Sequence, residues 1–286
     1  MIPLSECTVT VVGLGLMGGS LAGALQGRCG QVIGVDRDAH TLARALERCF
    51  VDQATVDLEA GVREADIVVL ATPVRSIIRL VGQVGDWMQP GSLLMDLGST
   101  KGLILAAMEQ LPDHVQPLGG HPMCGKEISG YEAAERELFD GRTFILSPLA
   151  RTSDEALALG KTLVETVGAQ PLVIDGRRQD YLVGTISHLP YLLACSLVST
   201  ADATTSADPL VWRIVAGGYR DTSRVAGSDV TMMVDILMTN REEVVKAARI
   251  CGEQLAHLAD LVDRGDEDIL REKLAYIRNT RREHYP

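Results

Sequence analysis

The sequence lacks the cysteine spacing and the basic charge that would place it in several common classes. Its six cysteines are Cys7, Cys29, Cys49, Cys124, Cys195 and Cys251. None of them forms a Cys-x-x-Cys pair, which argues against a zinc knuckle, a disulfide framework and a metal site. The formal net charge is -11, so a phosphate backbone would be repelled. We therefore expect free thiols, no bound metal and no nucleic-acid partner.

Long apolar runs are also missing. No uninterrupted apolar stretch approaches the ~20 residues of a membrane helix, and no signal peptide fits before a strand that starts near Thr8. We expect a cytoplasmic protein with no membrane partner. The length of 286 residues exceeds that of one ordinary core and predicts two domains.

A glycine-rich turn follows the first predicted strand. Gly13, Gly15 and Gly18 have Gly-x-Gly-x-x-Gly spacing and lead into an apolar helical pattern. Such a turn lets the backbone approach a pyrophosphate, whose charge is stabilised by the N–H groups where the helix begins, at Leu16 and Met17. The motif predicts a dinucleotide site.

The second predicted strand, residues 31–35, ends at Asp36. An acid about 20 residues after the glycines accepts hydrogen bonds from a ribose diol. The same carboxylate would repel the 2'-phosphate of NADP, so NAD is the expected cofactor. Arg37 comes next and is able to hold a phosphate, which keeps NADP as the less favoured alternative.

Apolar runs alternate with helical patterns through the first half of the chain. The later predicted strands are residues 67–71, 92–96, 115–118, 143–146 and 171–174. Because these runs are apolar on both faces and separated by helices, they predict an α/β fold with a doubly wound, Rossmann-like parallel sheet. We assign residues 1–175 to this dinucleotide-binding domain.

Residues 176–286 are predicted to form an all-helical domain for substrate binding and dimerisation. Apolar residues recur at helical spacing from Val230 to Met238 and from Leu255 to Val262. They exceed what one small helical layer would bury, which predicts a homodimer. The alternative is that they fill a single core.

Three polar or glycine-rich segments follow predicted strands, and they cover residues 71–74, 96–101 and 119–125. Ligands of open α/β sheets bind at the carboxyl ends of strands. We therefore place Thr72 and Pro73 beside the cofactor, although each segment also reads as an ordinary turn. His121 follows a predicted Gly-Gly turn, and a neutral imidazole there can accept a hydroxyl proton.

Five motifs occur in order along the chain: Gly13 to Ser20, Asp96 to Lys101, Gly120 to Gly125, Ser187 to Pro190 and Gly218 to Ala226. Together they resemble the prephenate and arogenate dehydrogenases of tyrosine biosynthesis. The resemblance implies an oxidative decarboxylation, in which hydride leaves the ring carbon bearing the hydroxyl and the ring carboxylate departs as carbon dioxide. Prephenate, giving 4-hydroxyphenylpyruvate, is the expected substrate. Arogenate, giving tyrosine, is the alternative.

The resemblance also implies roles for single residues. His121 matches the histidine that hydrogen-bonds the ring hydroxyl, and Ser99 matches the serine that assists it. Arg224 matches the arginine that binds a substrate carboxylate, for which its planar fork is suited. His188 is either a substrate ligand or a helix-start histidine satisfied by backbone. Tyr191 stands where some members have a basic residue that contacts the substrate side chain.

Two residues near these motifs have open roles. Glu127 stands where some members have an acid that gates the cleft, and Arg220 is close enough to Arg224 to orient it. Two other classes also remain open. A β-hydroxyacid dehydrogenase would need a lysine of the helical domain, for which Lys246 and Lys273 are the candidates. A non-enzymatic NAD-sensing module would need the glycines but not the histidine.

Overall fold

The structure, a computed structural model, describes residues 2–126, 128, 130–205 and 207–284. Glu127 lies outside the described residues. In the first half, eight strands form one sheet. They are β1 (Thr8–Val12), β2 (Gln31–Val35), β3 (Gln53–Thr55), β4 (Ile67–Leu70), β5 (Leu93–Asp96), β6 (Gln116–Pro122), β7 (Thr143–Pro148) and β8 (Gln170–Val173). The helices between them are α1 (Leu16–Leu25), α2 (Ala39–Glu47), α3 (Leu58–Val62), α4 (Val74–Val84), α5 (Gly102–Met108) and α6 (Asp154–Thr166).

The strand order is β3-β2-β1-β4-β5-β6-β7-β8. The chain builds outward from β1 to β3 and then returns to place β4 on the other side of β1, so a crevice opens between the loops after β1 and β4. This arrangement is a doubly wound sheet, and the predicted fold class is confirmed. The short polar strand β3 was not predicted.

The sequence had indicated a parallel sheet, and this prediction was wrong for one pair of strands. β6 and β7 are antiparallel, whereas β7 and β8 are again parallel. An antiparallel neighbour needs no helical crossover, and the described residues between β6 and β7 contain only a 3-10 turn, Tyr131–Ala133. The helix α6 supplies the crossover from β7 to β8.

The predicted Gly-Gly turn before His121 was also wrong, because β6 runs on to Pro122. Gly119 and Gly120 are strand residues. A Cβ at Gly120 would lie 2.4 Å from the backbone oxygen of Asp96, and a Cβ at Gly119 would lie 3.1 Å from Cδ of Lys101. These glycines therefore allow a close approach between β6 and the end of β5.

Alternate strand residues fill the cores on the two faces of the sheet. One core contains Val9, Val11, Val69 and Met95, and the other contains Val12, Val68, Leu70 and Leu94. The second core extends beyond the sheet domain, because it includes Met233 and Ile236 of the helical half. An apolar contact therefore joins the two halves of the chain.

The second half is helical, as predicted. Its elements are α7 (Gly176–Val183), a π-helical segment (Gly184–His188), α8 (Leu189–Thr205), α9 (Gly217–Ser223), a 3-10 turn (Arg224–Gly227), α10 (Val230–Thr239), α11 (Arg241–Arg264) and α12 (Glu267–His284). Several apolar residues of the predicted pattern are exposed in the single chain: Val230 is 68%, Leu255 65% and Val262 65% exposed. These side chains do not fill a core within one chain.

The continuous helical stretch Gly176–Thr205 is long and apolar enough to cross a membrane, with a mean hydropathy of 1.5 over its best window. The sequence was expected to contain no such helix, because polar residues such as His188 interrupt its apolar runs. These few polar residues leave the mean hydropathy of the stretch high. Length and composition alone are weak evidence for a membrane span, since a core helix of a soluble protein passes the same test.

Candidate active site

The glycine turn is packed tightly on one side and open on the other. Gly13 has φ +94°, and a Cβ there would lie 2.6 Å from Cγ2 of Thr72. A Cβ at Gly18 would lie 1.9 Å from the backbone oxygen of Gly13, whereas a Cβ at Gly15 would meet nothing within 4 Å. Gly13 and Gly18 are thus needed for packing, and Gly15 leaves room for a ligand. This cradle fits a pyrophosphate.

The N-terminus of α1 opens beside this cradle. Gly15 is its N-cap, so the N–H groups of Leu16, Met17 and Gly18 have no acceptor within the helix. Three such donors at a helix N-terminus favour an anion.

The loop after β4 forms the other side of the crevice. Oγ1 of Thr72 is buried with no hydrogen-bond partner in the described part of the chain, and Pro73 directly precedes α4. The predicted cofactor residues of the two loops therefore lie together, because Thr72 packs against Gly13.

Asp36 is held against the same turn. Its Oδ2 accepts a hydrogen bond from the backbone N of Leu14 at 2.8 Å, and its Oδ1 accepts one from the backbone N of Asp38 at 3.0 Å. These bonds fix the carboxylate at the end of β2, where a ribose would lie. Arg37, its neighbour, is exposed.

A buried ion pair lies at the end of β5. Nζ of Lys101 donates to Oδ2 of Asp96, and both side chains are 0% exposed. Asp96 also accepts from the backbone N of Gly98 at 2.7 Å and from that of Gly120 at 3.1 Å. Burial raises the pKa of Asp96 and lowers the pKa of Lys101, and each charge opposes the shift of the other. The pair joins the β5 loop to β6.

His121 lies on β6 beside this pair. Its Nδ1 is buried and has no hydrogen-bond partner among the residues described. Burial lowers the pKa of His121 to about 3, and the charges of Lys101 and His188 act in the same direction. The imidazole is therefore neutral at pH 7, which is the form that accepts a proton.

His188 is the last residue of the π-helical segment, and irregular turns of this kind are frequent at functional sites. Its Nδ1 lies 3.2 Å from Nδ2 of Asn240, whereas its Nε2 is buried without a partner in the described ranges. Burial lowers the pKa of His188 to about 4. The ring is held by a side chain and not by backbone. The charge of His188 contributes to the lowered pKa of His121, so the two histidines belong to the same part of the site.

The helical half closes on the β5 loop through polar contacts. The carboxylate of Asp180 accepts hydrogen bonds from the backbone N atoms of Lys101 and Gly102, both at 2.7 Å. Nε2 of Gln179 donates to the backbone oxygen of Ser99 at 3.4 Å. Ser99 itself is half-buried. A residue of α7 therefore caps α5 of the other domain and fixes the loop that carries the predicted serine.

Sequence reasoning missed Asp180 and Asn240, because nothing in their local pattern marks them. Both act through contacts with residues far away in the chain. Lys101 is the last residue of the Asp96-to-Lys101 motif, but the motif predicts no role for its side chain. A lysine that follows a strand-end aspartate by five positions is a weak signal for a buried pair, and the structure alone reveals it.

Arg224 and Tyr191 lie on the helical half. Arg224 begins the 3-10 turn after α9 and is exposed. Tyr191 is half-buried and packs against the second core. Burial raises the pKa of Tyr191, and a hydrogen bond with Cys195 acts in the same direction. Arg220, which precedes Arg224 on α9, is also exposed.

Within the ranges that the structure describes, no three His, Cys, Asp or Glu side chains are grouped so as to hold a metal ion. All six cysteines have free thiols. The polar groups of the site therefore include two histidines, a buried lysine–aspartate pair, the side chains of Asp36, Thr72 and Ser99, and backbone amides.

Two family models match the chain in succession. The nucleotide-binding domain of prephenate dehydrogenase matches residues 21–173, and the dimerization domain of prephenate dehydrogenase matches residues 175–276. The prephenate dehydrogenase of Bacillus subtilis is 34% identical over 244 residues, which cover 83% of this chain and 65% of that protein. The chain thus spans just under two thirds of that relative. The prephenate dehydrogenase of Lactococcus lactis is 31% identical over 92% of this chain and 73% of its own length.

Solved structures agree with these matches. Prephenate dehydrogenase from Aquifex aeolicus, in complex with hydroxyphenyl propionate and NAD+, superimposes with a TM-score of 0.91 at 32% identity over 99% of each chain. Synechocystis arogenate dehydrogenase gives 0.85 at 29% identity over 97% of this chain and 99% of that one. A 3-hydroxyisobutyrate dehydrogenase from Mycobacterium tuberculosis, at 18% identity and 0.57 over 88% of this chain and 94% of that one, shares the fold alone. The predicted resemblance is confirmed: this chain belongs to the prephenate dehydrogenase family and joins that family's nucleotide-binding domain to its dimerization domain.

Proposed function

We propose that this protein is a prephenate dehydrogenase, which converts prephenate and NAD to 4-hydroxyphenylpyruvate, carbon dioxide and NADH. The observation that carries the proposal is His121 at the carboxyl end of the sheet, a half-buried, neutral imidazole whose buried Nδ1 has no hydrogen-bond partner among the described residues. A sensing module would have no use for an unsatisfied buried ring nitrogen, whose cost is about 1–3 kcal/mol.

In this mechanism His121 accepts the proton of the ring hydroxyl as hydride leaves the carbon that bears this hydroxyl. NAD held by the residues of the crevice would supply the hydride acceptor. Loss of the ring carboxylate then returns an electron pair to the ring, which becomes aromatic. The proton held by His121 goes back to the phenolate oxygen. No proton is released overall. The low pKa of His121 favours the return of this proton to the oxygen.

Ser99 assists His121 at the hydroxyl, and its loop is held by Gln179 and Asp180. Arg224 binds a carboxylate of the substrate, which a guanidinium does through two parallel hydrogen bonds. His188 is assigned to the substrate as well. Tyr191 is assigned to the substrate side chain, although its packing against the core also supports a role in holding α8.

The cofactor residues are those of the crevice: Gly13, Gly15, Leu16, Met17, Gly18, Asp36, Arg37, Thr72 and Pro73. The amides at the start of α1 hold the pyrophosphate, and Asp36 accepts from the ribose hydroxyls. Its negative charge selects NAD over NADP. Arg37 remains the residue through which NADP would gain affinity.

We propose that two copies of the chain form a homodimer through the helical half. The exposed apolar residues of α10 and α11 support this assembly, because contiguous apolar surface marks interaction sites. Cytoplasmic localisation is supported by the free thiols. The net charge of -11 continues to argue against a nucleic-acid partner.

The decisive experiment is a steady-state comparison of prephenate and arogenate, each with NAD and with NADP. The proposal expects the highest kcat/KM for prephenate with NAD. A higher kcat/KM for arogenate would make the protein an arogenate dehydrogenase, an outcome compatible with Tyr191 in place of a basic residue. Turnover of neither substrate would refute the proposal.

A further inference from the structure

Asn240 is buried in the second half of the chain, and its contacts connect two parts of the site. It lies between α10 and α11 and is 5% exposed. Its Nδ2 donates a hydrogen bond to the backbone oxygen of Asp180 at 2.8 Å and lies 3.2 Å from Nδ1 of His188. Neither contact follows from a motif in the sequence.

The first contact settles how the amide of Asn240 is oriented. A backbone carbonyl can only accept a hydrogen bond, so the amide atom facing Asp180 must be the NH2 group and not the oxygen. The same NH2 group faces His188. Because both of its neighbours receive a donor, Nδ1 of His188 has to act as an acceptor and carries no proton.

The protonation of His188 follows from this orientation. Burial keeps the ring neutral at pH 7 by lowering its pKa to about 4, and a neutral imidazole carries one proton. With Nδ1 unprotonated, that proton is on Nε2. Nε2 is buried and has no partner in the described part of the chain. His188 therefore offers an unsatisfied N–H donor.

We propose that Asn240 is a positioning residue that fixes His188 in the Nε2–H tautomer, so that His188 donates a hydrogen bond to an acceptor oxygen of the substrate. The proposal rests on the proposed function, in which the substrate is an anion rich in carbonyl and carboxylate oxygens. A buried donor without a partner is costly, and such an oxygen would satisfy it.

The support behind Asn240 reaches the nucleotide-binding domain. Asp180, whose backbone oxygen orients Asn240, uses its carboxylate to cap α5 at Lys101 and Gly102. Asp180 therefore contacts both Asn240, which sets the tautomer of His188, and the loop that carries Ser99. Substrate donor and catalytic loop are positioned by the same short chain of hydrogen bonds.

The first test reads the tautomer directly in the ligand-free wild-type protein. Proton–nitrogen correlation spectra of 15N-histidine-labelled protein distinguish a protonated ring nitrogen from an unprotonated one, and His188→Gln identifies the signal of His188. We expect Nε2 protonated and Nδ1 unprotonated at pH 7. A proton on Nδ1, or a mixture of the two tautomers, would overturn the proposal whatever the substrate is.

The second test is Asn240→Asp, which replaces the NH2 donor by an acceptor of the same shape. His188 should switch to the Nδ1–H tautomer, and KM for prephenate should rise about 10- to 100-fold, the equivalent of one hydrogen bond to a charged group. The affinity for NAD and the value of kcat should change far less. A switched tautomer with an unchanged KM would refute the role of His188 as donor.

The matched control is Thr239→Ser, in the adjacent position. The hydroxyl of Thr239 contacts that of Thr100 across the domains at 2.8 Å, and serine keeps this hydroxyl, so the control changes the side chain next to Asn240 without freeing the loop that carries Ser99. The tautomer of His188 and KM should remain those of the wild type. Should Asn240→Asp fail to fold, Asn240→Leu is expected to give both tautomers and an intermediate KM, and a pure Nε2–H signal there would overturn the proposal. Absence of turnover in the wild type would refute the proposed function but leave the tautomer result standing.

Discussion

At the scale of single residues, the site is built from groups whose charge is controlled by burial. His121 and His188 are kept neutral, while Lys101 keeps its ion pair with Asp96 in the same buried region. The positive charge of Lys101 disfavours a second positive charge on the imidazole of His121. The neighbourhood therefore sets His121 as an acceptor and not as a resident acid.

Replacing His121 tests this assignment. His121→Asn should lower kcat by about 10²- to 10⁴-fold, because positioned proton transfer is lost, while NAD affinity stays nearly intact. His114→Asn is the control, since His114 precedes β6 whereas His121 lies near its end, and Nε2 of His114 contacts the backbone oxygen of Met88 at 3.2 Å. Near-normal turnover of the His121 variant would remove the assignment.

Arg224 is expected to act mainly on binding. In the proposed mechanism its contact with a substrate carboxylate would form before hydride transfer and persist until carbon dioxide leaves, so the loss of this contact should raise KM more than it lowers kcat. Arg224→Ala should weaken substrate binding by roughly 2 to 4 kcal/mol, and Arg224→Lys should recover only part of this. Steady-state kinetics checks both variants, and an unchanged KM with reduced kcat would contradict the prediction.

At the scale of elements, the cap of α5 is the feature with the clearest consequence. Most helix caps come from the residue just before the helix, as Asp175 does for α7 through the backbone N atoms of Arg177 and Arg178. The cap of α5 comes instead from Asp180, in the other half of the chain. Helix stability and loop position are therefore coupled across the domains.

The two caps can be compared in matched variants. Asp180→Ala and Asp175→Ala should each lower the free energy of unfolding by about 0.5–2 kcal/mol, as measured by urea titration. The Asp180 variant alone should also raise KM for the substrate, because it frees the loop of Ser99. Equal effects of both variants on KM would show that the cap of α5 has no part in the site.

The elements also show how far the sequence leads. The glycine turn, the acid at the end of β2 and the alternation of strands and helices are local patterns, so the doubly wound sheet was predictable. The antiparallel direction of β7 depends on its pairing with β6, and the strand conformation of Gly119 and Gly120 goes with their close packing against Lys101 and Asp96. No local pattern encodes such contacts. For the same reason the motifs pointed to His121 but not to Asp180 or Asn240.

At the scale of the whole molecule, apolar residues on the helical half predict assembly. Light scattering at micromolar concentration should give the mass of a dimer, because Val230, Leu255 and Val262 remain exposed in one chain and pairing of two copies is the commonest way to cover them. Val230→Glu and Leu255→Glu should shift the mass toward that of a monomer. A wild-type monomer would contradict this prediction.

The low pKa values of His121 and His188 predict acid sensitivity of the fold. Their pKa values lie at about 3 and about 4 in the folded chain, below the ordinary value of 6.5. Between the folded and the unfolded pKa values, the unfolded chain binds more protons than the folded chain. The contribution of these histidines to the free energy of unfolding is therefore full above pH 6.5 and falls as the pH is lowered toward 4. Each histidine contributes up to about 1.4 kcal/mol per pH unit.

Urea unfolding between pH 7 and pH 5 measures this slope. The His121→Asn variant should lose stability less steeply than the wild type over that interval. Parallel curves for wild type and His121→Asn would contradict the proposed burial of a neutral imidazole.

The capping of α5 by Asp180 also bears on how the molecule can be divided. A fragment that ends at residue 175 would keep every strand of the sheet but leave the amides of Lys101 and Gly102 without their carboxylate. The fragment with residues 176–284 would carry that carboxylate, but it would lack the two backbone amides that donate to it. If the gene were split at this point, neither fragment alone would contain the capped α5. The nucleotide-binding half would therefore form this cap only when the helical half is present.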